Sequence, residues 1–385
     1  MELEIWHLLL LPLFFALGWL AARVDLRDVI KESRAVPESY FKGLSHLLNE
    51  QPDQAIESFL ELARLDPDTL DLHFALGALF RRRGEVDRAL RVHQNLVDRT
   101  DLDASQRQRA LYELGQDYHK AGMLDRAEDT FRQLQKGPYA REALQNLQQI
   151  FVLEKEWAQA ADTLRKLAAL GAGGGDAEIA HYLCEQALNA IQERQTDAAR
   201  GYLAEAVAVS AKSVRALILL GDLDAQAGDD RAALAHWKRV EQVQSAYLPL
   251  VAERIFAASQ RLGEAEAGLT YLQACLDRHA SADLAHSLFS LVATHHGWAA
   301  ARDMAAAALL KKPDLLVLDD WLQAETASAQ TSLELRTAQD LVHRQASAQS
   351  YYQCRSCGFK ARQHFWQCPA CARWETLAPE RLHRD

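Results

Sequence analysis

Four cysteines near the end of the chain carry its clearest chemistry. Tyr351 to Trp374 reads YYQCRSCGFKARQHFWQCPACARW, in which Cys354, Cys357, Cys368 and Cys371 form two C-x-x-C pairs. Each pair can turn tightly so that both sulfurs face one point, and two such turns make a tetrahedral four-thiolate site for one metal ion. Gly358 follows the first pair and supplies a permissive backbone, while Pro369 stiffens the second. Tyr351, Tyr352, Phe359, Phe365, Trp366 and Trp374 offer a small aromatic packing layer. A segment this short cannot bury enough surface to fold alone, so the metal must supply most of its stability. Four sulfurs fill the shell and leave no open position for water or substrate, which makes the ion structural. Tetrahedral thiolate suits zinc and iron alike, so the residues leave that choice open. Two disulfides are the alternative, and a reducing cytosol disfavours them. His364 lies between the pairs and reads as a packing or surface residue, because the shell is already complete.

The elements that must position this tail come before it. Ile5 to Ala22 is free of charged side chains. As a helix it spans roughly 27 Å, close to the thickness of a bilayer core. Trp6 and Trp19 sit near its ends, where interfacial indoles belong, and Pro12 is tolerable in a membrane helix. A cleaved leader should open on a basic segment, yet the chain begins Met-Glu-Leu-Glu, which favours a retained anchor. Arg23, Arg27, Lys31 and Arg34 follow the span, so the positive-inside bias places the remainder in the cytoplasm.

From about Val36 to Lys312 the chain repeats itself. Gly43 to Gly77 and Ala55 to Ala89 both step 34 residues. Gly115, Tyr118, Ala127 and Phe131 continue the pattern, as do Leu147 with Ala160, Ala187 with Ala199, and Gly221 with Ala233 and Trp237. Phe256 with Gly268, then Phe289 with Ala301 and Pro313, complete about eight units. The period and the placing of small, aromatic and proline residues resemble tetratricopeptide repeats, each a pair of antiparallel helices. The small residue of the first helix and the alanine of the second let the pair approach closely. Arg83-Gly84-Glu85, Ala121-Gly122-Met123 and Gly228-Asp229-Asp230 read as the turns. Extra residues around Arg99 to Gln106 lengthen one connection, and Gly171 to Gly175 cannot be helical, being either a long loop or a division of the array into halves. Asp314 to Ser350 suggests one or two capping helices.

Repeats of this kind bind segments of other proteins and seldom catalyse. The formal net charge of -10 argues against a nucleic-acid partner. No phosphate loop, zinc-protease helix or nucleophile elbow occurs. Cys184 and Cys275 read as small buried thiols. His295-His296-Gly297-Trp298 looks metal-like, but no Cys or carboxylate motif accompanies it, so it reads as the turn between two helices.

Anchor, repeat array and the terminal C-x-x-C-G…C-P-x-C tail together resemble the lipopolysaccharide assembly protein B family of Gram-negative bacteria, over essentially the whole chain. The resemblance implies an all-α fold: a tetratricopeptide-repeat superhelix with an N-terminal transmembrane helix and a small C-terminal rubredoxin-like metal-binding domain. The expected boundaries are 1–23 for the anchor, 24–35 for a juxtamembrane linker, 36–313 for the repeats, 314–350 for capping helices and 351–385 for the metal domain. It implies one iron or zinc ion on Cys354, Cys357, Cys368 and Cys371. It also implies a non-enzymatic regulator at the inner membrane, held in the bilayer through residues 5–22. Such a protein works with the membrane protease FtsH, promotes breakdown of the deacetylase LpxC, and gathers other lipopolysaccharide synthesis or transport proteins. The alternative from another class is a rubredoxin-like electron carrier docked through its repeats.

Overall fold

The computed structural model describes residues 51–65, 70–171, 174–327, 332–349 and 351–381, together with 15–16, 19, 42–43, 45–46 and 49. The expected juxtamembrane linker lies outside the described residues, as does the anchor apart from Phe15, Ala16 and Trp19. Among the described residues no helix is long and apolar enough to cross a membrane. The chain divides into two compact units, 1–150 and 151–385.

The first unit contains α1 (Pro52–Leu65), α2 (Leu70–Arg83), α3 (Val86–Val97), α4 (Ala104–Lys120), α5 (Leu124–Arg132) and most of α6 (Ala140–Leu153). Its helices pair as antiparallel hairpins. The turn between α2 and α3 shows how the sequence makes them. Gly84 takes φ +81°, and the N–H of Glu85 donates to the carbonyl of Phe80 at 2.9 Å, closing a left-handed helix cap that a side chain would strain.

Close approach within each hairpin has one recurring cause. A Cβ built on Gly43 would lie 2.5 Å from Phe59, one on Gly77 2.3 Å from His93, and one on Gly115 2.7 Å from Phe131. Each glycine of a first helix therefore seats a ring sixteen positions on, in the second helix. Ala89 and Ala127 are fully buried beside them. Repetition hides one departure: the ring position of the second hairpin is His93. Its Nδ1 lies 2.5 Å from Asp117 Oδ2, and both side chains are fully buried. Arg81 Nη1 reaches the other Asp117 oxygen at 2.7 Å, and its Nη2 reaches Glu113 at 2.6 Å. The buried carboxylate thus has two hydrogen-bonding partners, one of them the Arg81 guanidinium, which offset the cost of burying it.

The second unit continues with α7 (Trp157–Ala169), α8 (Asp176–Gln192), α9 (Thr196–Val209), α10 (Val214–Gln226) and α11 (Asp230–Gln244). A 3₁₀ turn (Ser245–Leu250) follows, then α12 (Ala252–Arg261), α13 (Ala265–His279), α14 (Ala282–His296) and α15 (Trp298–Lys311). Gly221 of α10 repeats the seating, its Cβ position 2.3 Å from Trp237 Nε1. Ala160, Ala199, Ala233 and Ala301 are fully buried. Of the glycine-rich run, Gly175 caps α8 at φ +114°, while Ala172 and Gly173 lie outside the described residues. Two capping helices follow, α16 (Leu315–Thr326) and α17 (Leu333–Gln349). His286 of α14 reaches Asp320 at 2.9 Å and His343 of α17 reaches Asp319 at 2.8 Å, tying α16 on both sides.

The chain then changes character. β1 (Tyr352–Gln353) pairs antiparallel with β2 (Lys360–Ala361), Tyr352 opposite Ala361. Isolated bridges join Cys354 to Leu377 and Gln367 to Trp374. So small a sheet has little core of its own: Tyr352, Cys354, Cys368 and Leu377 are its buried residues.

Candidate metal centre

Two tight turns deliver the sulfurs. In the first, Cys354 N–H donates to Phe359 O at 2.8 Å and Gly358 N–H donates to Cys354 O at 2.9 Å, with Gly358 at φ +77°. In the second, Cys368 N–H donates to Arg373 O and Ala372 N–H donates to Cys368 O, each at 2.9 Å. Ala372 takes φ +55°, so an alanine bears here the left-handed conformation that glycine bears in the first turn.

The turns bring all four cysteines together. Sγ of Cys354 lies 3.8 Å from Sγ of Cys371, and Sγ of Cys357 lies 3.7 Å from Sγ of Cys368. All four sulfurs fall within 4.8 Å of one another. At a metal–sulfur distance of about 2.3 Å, a regular tetrahedron has edges of about 3.8 Å, so the donor set fits one tetrahedral ion. Cys354 and Cys368 are buried, Cys371 is half-buried and Cys357 faces solvent.

The thiols do not share one proton affinity. Burial opposes charge on Cys354, but the Thr376 hydroxyl, 3.3 Å from its sulfur, and the backbone N–H groups of Cys357 and Ser356 outweigh it and take the thiol down to about 6. Cys357 goes the other way, to about 12. The N–H of Phe359 favours its thiolate, while the three neighbouring sulfurs oppose another negative charge. Four thiolates in this space need a cation among them. When bound, the ion would hold the two turns together.

Rings around the cluster seat it on the helices of the second unit. Trp374 stacks on His181 of α8, centroids 4.7 Å apart at 12°, and Trp366 stacks on Tyr247 of the 3₁₀ turn at 5.1 Å and 11°. The Arg215 guanidinium of α10 lies 5.4 Å from the Trp374 ring and reaches Glu185 at 2.6 Å. Glu375 meets His181 Nε2 at 3.0 Å. Arg381 donates through its backbone N–H and its Nε to the buried carboxylate of Asp283, at 2.8 and 2.5 Å. His364 lies outside the four-cysteine donor group. It packs edge-on to Tyr247, Tyr352 and Trp366, and burial pushes its pKa down to about 4.

Sequence reasoning named the tail's rings but not the surfaces that receive them. Tyr247-Leu248-Pro249 was the available signal, since it falls between two repeat units and breaks the helical pattern. His181 gave none, lying in an apolar helix of ordinary periodicity. Cys184 is buried, and burial pushes its thiol up to about 12; burial likewise raises that of Cys275. His295-His296 does end α14 at the turn to α15, but a carboxylate stands beside it after all: Glu266, from α13.

A family model described as "Rubredoxin metal binding domain" matches residues 352–379, and a tetratricopeptide repeat model matches residues 72–107. Fold and site together define a repeat protein of helical hairpins carrying a rubredoxin-type metal module. Lipopolysaccharide assembly protein B of Escherichia coli (strain K12) is 32% identical over 97% of this chain and 97% of its own length. The protein of that name from Haemophilus influenzae is 29% identical over 96% of this chain and 97% of its own. The chain belongs to the lipopolysaccharide assembly protein B family. Among solved structures, a tetratricopeptide repeat protein from Parabacteroides merdae aligns at 14% identity over 75% of this chain and 98% of that chain, with a TM-score of 0.34.

Proposed function

We propose that this protein is a non-enzymatic adaptor in lipopolysaccharide assembly, held at the inner membrane through residues 5–22 with its helices in the cytoplasm. In this reading it presents the deacetylase LpxC to the membrane protease FtsH and gathers other lipopolysaccharide synthesis or transport proteins. Family membership supports the pathway, and the uncharged stretch from Ile5 to Ala22 supports the placement. One observation carries the adaptor reading: the metal module is seated on α8 and the 3₁₀ turn through two stacked ring pairs. A module packed against the helices in this way can set the shape of the concave surface through which such repeats bind. Anchoring would add to this by raising the protein's effective concentration toward a membrane-bound protease.

The test is affinity capture from membranes with the full chain. Co-purification of the protease and the deacetylase, lost on deletion of residues 1–22, is the expected result. Capture of a redox enzyme alone, with a reversible one-electron optical change in the iron-loaded protein, would replace this reading with electron transfer.

A further inference from the structure

A second group of metal-type donors lies away from the cysteine cluster. His295 and His296 occupy the last turn of α14, and Glu266 lies in the first turn of α13. Nε2 of His295 is 3.2 Å from Oε1 of Glu266, and Nε2 of His296 is 3.3 Å from that same oxygen. The three donor atoms all fall within 4.8 Å of one another.

Two imidazoles converging on one carboxylate oxygen can be an ion-pair cluster or a metal site. Three features fit the metal. With metal–ligand distances of about 2.0–2.1 Å, tetrahedral edges are about 3.3–3.4 Å, close to both spacings. The carbonyl end of a helix favours a cation, and both histidines sit there, where Gly297 at φ +86° ends the helix. His295 is also held, its ring lying edge-on to Phe256 at 5.7 Å, so one donor is oriented by packing.

We propose that Glu266, His295 and His296 bind one divalent transition-metal ion of the zinc class, at a site separate from the cysteine cluster. Imidazole and carboxylate donors suit zinc, nickel or copper rather than magnesium or calcium. All three residues are exposed, so the fourth position is open to water and the ion exchanges readily, unlike one enclosed by four thiolates. The ion joins α13 to the end of α14, two helices of successive hairpins.

The test uses the full chain with its cysteine site loaded with zinc, dialysed against further Zn²⁺ and assayed for metal per chain. Two ions are expected in the natural sequence, the second removed by a mild chelator. His296→Ala and Glu266→Gln each weaken the second ion at least tenfold, and the double variant keeps only one ion, with unchanged circular dichroism. Co²⁺ added to the zinc-loaded protein should give d–d absorption with no thiolate charge-transfer band. A single ion in the natural sequence, or a second ion that survives in the double variant, overturns the proposal. So does a thiolate band from the added cobalt.

Discussion

Gly221→Ala adds one methyl group and should destabilise the second unit. The new Cβ would stand 2.3 Å from Trp237 Nε1 and 2.7 Å from two further ring atoms. Trp237 is 2% exposed and its indole N–H donates to Ile218 O at 3.2 Å, so the ring cannot yield without losing that bond. Overpacking costs about 1–3 kcal/mol and the lost hydrogen bond about 0.5–1.5 kcal/mol, while alanine regains about 1 kcal/mol of helix propensity. The balance is a loss of roughly 2 kcal/mol. Gly201→Ala is the control. It lies within α9 with nothing inside 4 Å of its Cβ position, so the same substitution should stabilise by up to about 1 kcal/mol. Thermal unfolding of both variants of the full chain in mild detergent, followed by circular dichroism, reads the two signs. Equal effects at the two sites, or a Gly221→Ala protein as stable as the parent, would refute the seating of rings on glycines.

Three further outcomes follow from the tail and the amino terminus. Cys354→Ser and Cys371→Ser should each lose the metal and unfold the module, leaving the helical circular dichroism nearly intact; one-to-one metal in both would remove the ligand assignment. His364 must stay neutral to remain packed among Tyr247, Tyr352 and Trp366, with Arg215 and Glu375 nearby. Its pKa is depressed from 6.5 to about 4, so no penalty exists above pH 6.5; as pH falls from 6.5 to about 4 the unfolded chain binds a proton the folded one refuses. That costs roughly 3 kcal/mol at most, and His364→Phe, compared at equal metal content, should move acid release of the tail to lower pH in a proteolysis assay. Deleting residues 1–22 should leave a folded, soluble array that no longer regulates its target in cells; full activity of that form would contradict the anchor's role.

The sequence was most readable where one physical demand recurs. A glycine facing a ring, a buried alanine and a left-handed turn return in hairpin after hairpin, so Gly43, Gly77, Gly115 and Gly221 were visible by spacing alone. The cysteines were visible because two C-x-x-C turns converge on one point. Single events were not. His93 stands where other hairpins place Phe or Trp, and its buried partner Asp117 belongs to the next hairpin, so no local pattern joins them. The surface that receives the tail draws on α8, the 3₁₀ turn and α14, and only tertiary packing brings His181, Tyr247 and Asp283 together. Glu266 was missed beside His295 and His296 for that reason: it comes from the neighbouring helix, 29 residues away from His295.

The claim that most needs testing is that a metal-held tail braces the helices beneath it. Amide hydrogen exchange on the metal-loaded chain and on Cys371→Ser measures this directly. With metal lost, protection should fall in the 3₁₀ turn around Tyr247 and in the part of α8 bearing His181, and should stay unchanged in α4 and α5 of the first unit. Metal loss with no change at Tyr247 or His181 would contradict it.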